Sequence, residues 1–267
     1  MTSEHGHLSS PAGGAPGSGR PVALVTGAGR TAGIGAGIAE RLAASGWDIA
    51  FTYWTAYDRR MAWGAEEGAA AAIGRSLAGH GAAAAGIEAD LADPGAPELV
   101  FGAAERQLGN VTALVLCHCE SVDSGLLDTT VESFDRHFAV NARATWLLVR
   151  EYGRRFRGAP GTGRVIALTS DHTVGNLPYG ASKAALDRIV IAAARELAHL
   201  GVTANVINPG PVDTGWMTGE LRESVTRQTP LGRLGTPLDT AHLVEFLCSP
   251  QGGWVNGQLL MSNGGLA

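Results

Sequence analysis

Lysine is almost missing from this chain of 267 residues: of 20 Lys and Arg side chains, only Lys183 is lysine. Positive charge is in short supply overall. The formal net charge is −5, so composition gives no support to binding of nucleic acid or of an anionic membrane surface. Cysteine is scarce too, with three residues, Cys117, Cys119 and Cys248. They form no disulfide framework, which suits a reducing cytoplasm. Cys117-His118-Cys119 invites a metal reading, but no second Cys/His pair stands at ligand spacing. The run Ala-Leu-Val-Leu before it reads as a strand, which would put Cys117 and Cys119 on one buried face. We therefore expect no metal site. No apolar run reaches the roughly 18 residues of a membrane span. Residues 1–19, rich in Gly, Pro and Ser, lack the basic start and apolar core of a signal peptide. They read as a disordered leader, its His5 and His7 solvated, with one domain over residues 20–267.

What is present is an alternation of strand and helix patterns in a chain that is 45% hydrophobic. Strands are expected at 21–26 (PVALVT), 48–53 (DIAFTY), 83–88, 113–117, 164–169 (RVIALT), 203–208 (TANVIN) and 258–262. Helices are expected at 34–45, 65–79, 97–108, across the long periodic stretch 131–157, and at 179–200 and 238–247. Buried strands alternating with helices imply right-handed crossovers and a parallel sheet covered on both faces. The expected fold is α/β, a single Rossmann-type doubly wound parallel sheet of about seven strands.

Two motifs carry chemistry. The first strand runs into Thr26-Gly27-Ala28-Gly29-Arg30-Thr31-Ala32-Gly33-Ile34-Gly35 and then a helix. Glycines let backbone approach a phosphate closely, and a helix N-terminus offers oriented N–H groups and partial positive charge. The pattern suits a dinucleotide, although a tight turn in a glycine-rich protein is the plainer alternative. The second motif is the lone lysine, four residues after Tyr179, which puts both side chains on one helix face. An ammonium beside a phenol favours the phenolate and lowers its pKa. Taken alone, a Tyr and a Lys on a surface helix would look the same.

Together these residues resemble the short-chain dehydrogenase/reductase family, from Arg20 to the end of the chain. Thr26-Gly27…Gly33-Ile34-Gly35 is similar to its cofactor loop, Asn141 (in Phe-Ala-Val-Asn-Ala) to its helix asparagine and Ser170 to its catalytic serine. Tyr179-Gly-Ala-Ser-Lys183 resembles its Y-x-[AS]-S-K motif. Asn208-Pro209-Gly210, Val212 and Thr214 resemble the segment that meets the nicotinamide. Gly257-Gln258 and Gly264-Gly265 resemble its closing strand. Three departures stand out. The glycine loop is two residues longer than usual between Gly27 and Gly33. A similar insertion occurs in the enoyl-acyl-carrier reductase branch, which spaces its Tyr and Lys differently. Leu116-Cys117-His118-Cys119 replaces the usual Asn-Asn-Ala-Gly. Ser170 and Tyr179 are nine positions apart, closer than usual, which implies a differently shaped substrate border.

The resemblance implies an oxidoreductase that reduces a ketone to a secondary alcohol, most like the 3-oxoacyl reductase branch. Tyr179 would be the general acid. Lys183 would hold down its pKa and bind the nicotinamide ribose. Ser170 would polarise the carbonyl. Asn141 would hold a water joining Lys183 to solvent. Cofactor contacts are expected from Gly27, Gly29, Arg30, Gly33, Ile34, Gly35, Cys117, Tyr179, Lys183, Pro209, Gly210, Val212 and Thr214. Tyr53 and Trp54 would flank the adenine, and Asp90-Leu91 would contact it, unless that pair is merely a strand-end turn. Strand 48–53 ends without an acid until Asp58, and Arg30 sits in the glycine loop, so NADP (as NADPH) is expected over NAD. Arg59 and Arg60 read as helpers or as plain surface. The substrate is a small carbonyl or alcohol, an acyl thioester among the candidates. Residues 214–233, with Trp216 and Met217, would form its lid. His172 reads equally as a substrate contact or a turn cap. A homotetramer or homodimer is implied, joined through the helices of Asn141 and Tyr179. An alcohol or polyol dehydrogenase working in oxidation and a dinucleotide-sensing regulator without turnover are the competing readings.

Overall fold

The computed structural model describes residues 19–266; the leader expected at 1–19, with His5 and His7, lies outside them apart from Gly19. The strands are β1 Val22–Thr26, β2 Asp48–Tyr53, β3 Ala84–Glu88, β4 Val111–Leu116, β5 Gly163–Leu168, β6 Val202–Asn208 and β7 Leu259–Met261. They form one sheet of seven strands in the order β3-β2-β1-β4-β5-β6-β7. Every neighbouring pair is parallel. The strand order reverses between β1 and β4. The crevice at the carboxyl ends of these two strands is where an open α/β sheet takes its ligand.

The helices are α1 Ile34–Ala44, α2 Thr55–Arg60, α3 Ala69–Gly79, α4 Ala96–Leu108, α5 Val131–His137, α6 Ala144–Arg155, α7 Leu177–Glu196, α8 Gly219–Gln228 and α9 Pro237–Cys248. Side chains alternate between the faces of a strand, so the sheet has two cores. Val22, Leu24, Leu114, Leu116 and Val165 pack with α4, α6 and α7. Ala23, Val25, Val115 and Ile166 pack with α1, α3 and α9. Arg164 on β5 is buried, with no acidic partner among the described residues. Its guanidinium donates to the carbonyls of Leu247 (2.8 Å) and Ser249 (3.4 Å), at the C-terminal end of α9, and to those of Gly161 (2.7 Å) and Gly163 (2.9 Å).

Three elements differ from the sequence reading. The helix expected from residue 65 begins at Ala69, because Gly68 (φ +71°) takes a left-handed conformation just before it. The residues ahead of it instead hold the short α2. The long periodic stretch 131–157 is not one helix: a π-helical turn, Phe138–Arg143, separates α5 from α6. The extra residue in that turn swings Asn141 fully into the interior. Finally, β4 stops at Leu116. Cys117-His118-Cys119 therefore lies beyond the strand, and the expected placement of both cysteines on one strand face does not hold.

Candidate active site

At the carboxyl ends of β1, β4 and β5 the chain encloses a cavity of about 920 Å³. One wall is the glycine loop. Gly27 has φ +72°, and a Cβ there would stand 2.6 Å from the Cα of His118. A Cβ on Gly35 would stand 2.7 Å from the carbonyl oxygen of Gly27. Side chains are therefore excluded where the loop meets the first turn of α1, and backbone lines the cavity. Gly29, Gly33 and Ile34 line it as well. The extra length of the loop is used to tie it down. Thr31 donates to Glu66 through its N–H (2.9 Å) and its hydroxyl (2.7 Å). Arg30 donates to the Thr214 carbonyl (2.8 Å) and lies 4.9 Å from the centre of the Trp63 ring.

The end of β2 supplies Tyr53 and Trp54, both on the cavity wall. The centre of the Trp54 ring lies 5.6 Å from the Arg60 guanidinium and 4.6 Å from that of Arg136. Both arginines pair with the buried Glu120, at 2.6 and 3.4 Å. Asp90 departs from expectation. Its carboxylate pairs with Arg136 (3.1 Å) and accepts from the Ala92 N–H (2.9 Å), and it stands off the cavity wall, while Leu91 reaches the cavity. The segment 55–68 adds side chains that the sequence reading left out of the site. Tyr57 and Trp63 line the cavity, and Asp58 is buried with its carboxylate accepting from Trp63 Nε1 (2.9 Å). The only sequence signal was the aromatic density of the segment, which has no helical period.

The Ser170, Tyr179 and Lys183 side chains share the wall opposite the glycine loop. Ser170 stands just past β5, and the other two are one turn apart near the start of α7. Lys183 is 2% exposed, donates to the Leu168 carbonyl (2.9 Å), and its Nζ lies 5.8 Å from the centre of the Tyr179 ring. Burial lowers the Lys183 pKa. Burial also pushes the Tyr179 phenol well above its ordinary range, and charge on Cys119 and Asp171 adds to the rise. A hydrogen bond with Ser170 opposes it. Desolvation sets the direction for this phenol, which the sequence reading expected Lys183 to hold down. Pro209, Gly210, Val212 and Thr214 follow β6 and line the cavity, as does Cys117.

Asn141 does not reach the cavity wall. Its amide nitrogen donates to the Glu120 carbonyl (2.9 Å) and Ser182 Oγ (2.8 Å), and its oxygen accepts from the Glu120 N–H (2.8 Å). The side chain is engaged in fastening the loop after β4 to α7, whereas the sequence reading gave Asn141 a water linking Lys183 to solvent. His118 makes a parallel fastening that the sequence reading missed. It is buried, with Nδ1 2.7 Å from Thr26 Oγ1 and Nε2 3.1 Å from the Val140 carbonyl. Nε2 donates to that carbonyl, and burial favours the neutral ring, in which Nδ1 accepts from Thr26. Burial lowers its pKa to about 3, and Lys183 adds to the effect. The signal was present in the sequence as a bulky polar residue standing where the family keeps alanine.

The remaining wall is apolar, from Trp216, Met217, Leu221 and Val225 of the lid segment, with α8 inside it. His172 lies on the cavity border, and its N–H donates to Ser170 Oγ (3.2 Å).

The family model described as enoyl-(acyl carrier protein) reductase matches residues 27–267. An uncharacterised oxidoreductase of Bacillus subtilis, YjdA, is 34% identical over 249 residues, 91% of this chain and 96% of that protein. A chloroplastic NADPH-dependent aldehyde reductase-like protein of Arabidopsis thaliana is 36% identical over 275 residues, 98% of this chain and 99% of its own length. A crystal structure of the angucycline C-6 ketoreductase LanV with bound NADP superposes with a TM-score of 0.81 at 31% identity, covering 92% of this chain and 95% of that one. With the sheet order, the glycine loop and the matched length in agreement, the chain belongs to the short-chain dehydrogenase/reductase family of oxidoreductases.

Proposed function

We propose that this protein is an NADPH-dependent ketone reductase. The observation that carries the reading is the shared cavity: Ser170, Tyr179 and Lys183 face a backbone-lined glycine loop across about 920 Å³. The loop suits a pyrophosphate, because the close approaches at Gly27 and Gly35 leave no room for side chains and the first turn of α1 points its N–H groups there. When bound, the reduced cofactor supplies the hydride. The protein supplies the rest. Ser170 donates a hydrogen bond to the substrate carbonyl oxygen and fixes its position. Tyr179 delivers a proton to that oxygen as negative charge develops on it. The raised phenol pKa keeps Tyr179 protonated at neutral pH, which is the form that reduction requires. Lys183, near the phenol, stabilises the tyrosinate left behind and would bind the nicotinamide ribose. Asn141 acts as a positioning residue through Glu120 and Ser182.

Arg30 supports the choice of NADPH, as a cation in the glycine loop, and β2 itself ends without an acid. The NADPH named for the Arabidopsis relative and the NADP bound to LanV support the same choice. The reading includes a homodimer or homotetramer joined through α5–α7, whose outer surface leaves Phe134 and Trp146 partly exposed. NADPH consumption with a panel of aliphatic, thioester and polycyclic ketones, for wild type and Tyr179→Phe, tests the proposal. The wild type should turn over at least one ketone class, and the variant should lose about 10²-fold or more. Equal background rates for both proteins across the panel would refute it.

A further inference from the structure

The segment between β2 and α3 runs along the cavity as a strap. Tyr57, Asp58, Arg60, Met61 and Trp63 all line the cavity, yet no residue of 55–68 belongs to either core of the sheet. Among the described residues, no backbone–backbone hydrogen bond ties the strap to any segment beyond the adjoining α3. Its short helix α2 has no side-chain cap. Gly64 (φ +68°) and Gly68 (φ +71°) stand in open space, where the chain can change direction without a clash. A segment held only through side chains can open while the sheet stays folded.

Those side chains close the strap on the glycine loop. Glu66 accepts from Thr31 at 2.9 and 2.7 Å. The Trp63 ring lies 4.9 Å from the Arg30 guanidinium and 6.5 Å from the Trp216 ring of the lid segment. Asp58 makes the closest approach. It is buried, and its Oδ1 accepts from Trp63 Nε1 (2.9 Å), its only hydrogen bond among the described residues. Its Oδ2 stands 2.7 Å from where a Cβ on Gly29 would be. A carboxylate therefore rests on the loop that is expected to take the cofactor. Two anions in contact and shielded from water repel strongly. The Asp58 carboxylate and a cofactor phosphate cannot share that place.

We propose that the strap 55–68 is an autoinhibitory clasp: when closed, Asp58 and Trp63 cover the glycine loop, and the cofactor binds only as the strap swings away. The inference rests on the NADPH-dependent reading and adds to it a closed state that competes with the cofactor.

Amide hydrogen exchange of the wild type, with and without NADP, tests the clasp. Contact with a ligand slows exchange, whereas displacement of a segment speeds it. NADP should slow the amides of 27–35 while those of 55–68 exchange about threefold faster or more. Slower or unchanged exchange in 55–68 overturns the proposal. Trp63→Phe removes the donor to Asp58 but no charge. Since a closed state lowers apparent affinity by the fraction that is open, calorimetry should show this variant binding NADP about threefold more tightly or better. Asp58→Asn should also bind NADP more tightly. Equal or weaker binding by Trp63→Phe overturns the clasp, and so does weaker binding by Asp58→Asn, which would make Asp58 a ligand of the cofactor. The exchange experiment needs no folded variant. Strap release by NADP with no reduction of any ketone would sink the reductase reading and leave the clasp standing. Ketone reduction with a protected strap would do the reverse, and failure of NADP to bind any of the three proteins would overturn both.

Discussion

His118 gives the site a measurable weakness toward acid. In the folded protein its pKa is lowered to about 3 from the ordinary 6.5, chiefly by burial. A folded-state pKa below the unfolded one means that the unfolded chain binds the proton first. The stability contributed by the neutral ring is therefore fully present above pH 6.5, falls as the pH drops below it, and is gone near pH 3. One proton costs about 1.4 kcal/mol per pH unit across that window, so roughly 2 kcal/mol is lost by pH 5. A second ring proton on Nδ1 would make the Thr26 hydroxyl turn its own proton toward the Val115 carbonyl, 3.4 Å away, and would add a cation near the buried Lys183. The perturbation is His118→Gln, whose amide can donate to the Val140 carbonyl without titrating. Urea unfolding followed by tryptophan fluorescence, at steps from pH 7.5 to pH 5, gives the stability of both proteins. The wild type should lose about 2 kcal/mol more than the variant over that range. The other histidines contribute equally to both proteins and cancel in the comparison. Parallel pH profiles would show that His118 is already protonated in the fold, or that its unfolded reference is not ordinary, and the argument would fail.

Two further outcomes follow from the site. Lys183→Arg preserves charge but replaces a compact ammonium, 2.9 Å from the Leu168 carbonyl, with a larger planar fork whose donors point in fixed directions. Its kcat/KM in NADPH-coupled reduction should fall about 10²-fold or more with far-ultraviolet circular dichroism unchanged, and near-normal turnover would make the lone lysine incidental. Arg30→Ala removes the cation of the glycine loop. Titrations monitored by tryptophan fluorescence should show NADPH affinity reduced about tenfold or more with little change for NADH, whereas a wild type that binds NADH more tightly would overturn the NADPH assignment.

The fold was legible because its signals are local. Val22–Thr26, Asp48–Tyr53 and Val202–Asn208 are short apolar runs of strand type, and α1 opens where the glycines end. The cofactor loop and the Tyr179–Lys183 pair were legible for the same reason: each is one contiguous motif. What escaped is non-local or compensated. The π-helical turn around Asn141 leaves no trace in periodicity, since one added residue within a long apolar-periodic stretch looks like noise. That turn decides the role of Asn141. A regular helix would present the side chain at another angle, whereas here its side-chain hydrogen bonds go to Glu120 and Ser182. Asn141 and His118 then act alike. Each reaches across from, or into, the segment that replaces Asn-Asn-Ala-Gly, and together they pin that segment to β1, to the helical turn and to α7. A bulky Cys-His-Cys stretch can stand at the mouth of the cavity only because such fastenings hold its backbone in place. Cys117 illustrates the result: its thiol, pushed up to about 12 by burial, stays protonated at neutral pH, and its N–H is held by Thr26 Oγ1 at 3.1 Å. The departure from the family motif therefore changes which side chains do the fastening while preserving the backbone platform that the cofactor loop faces.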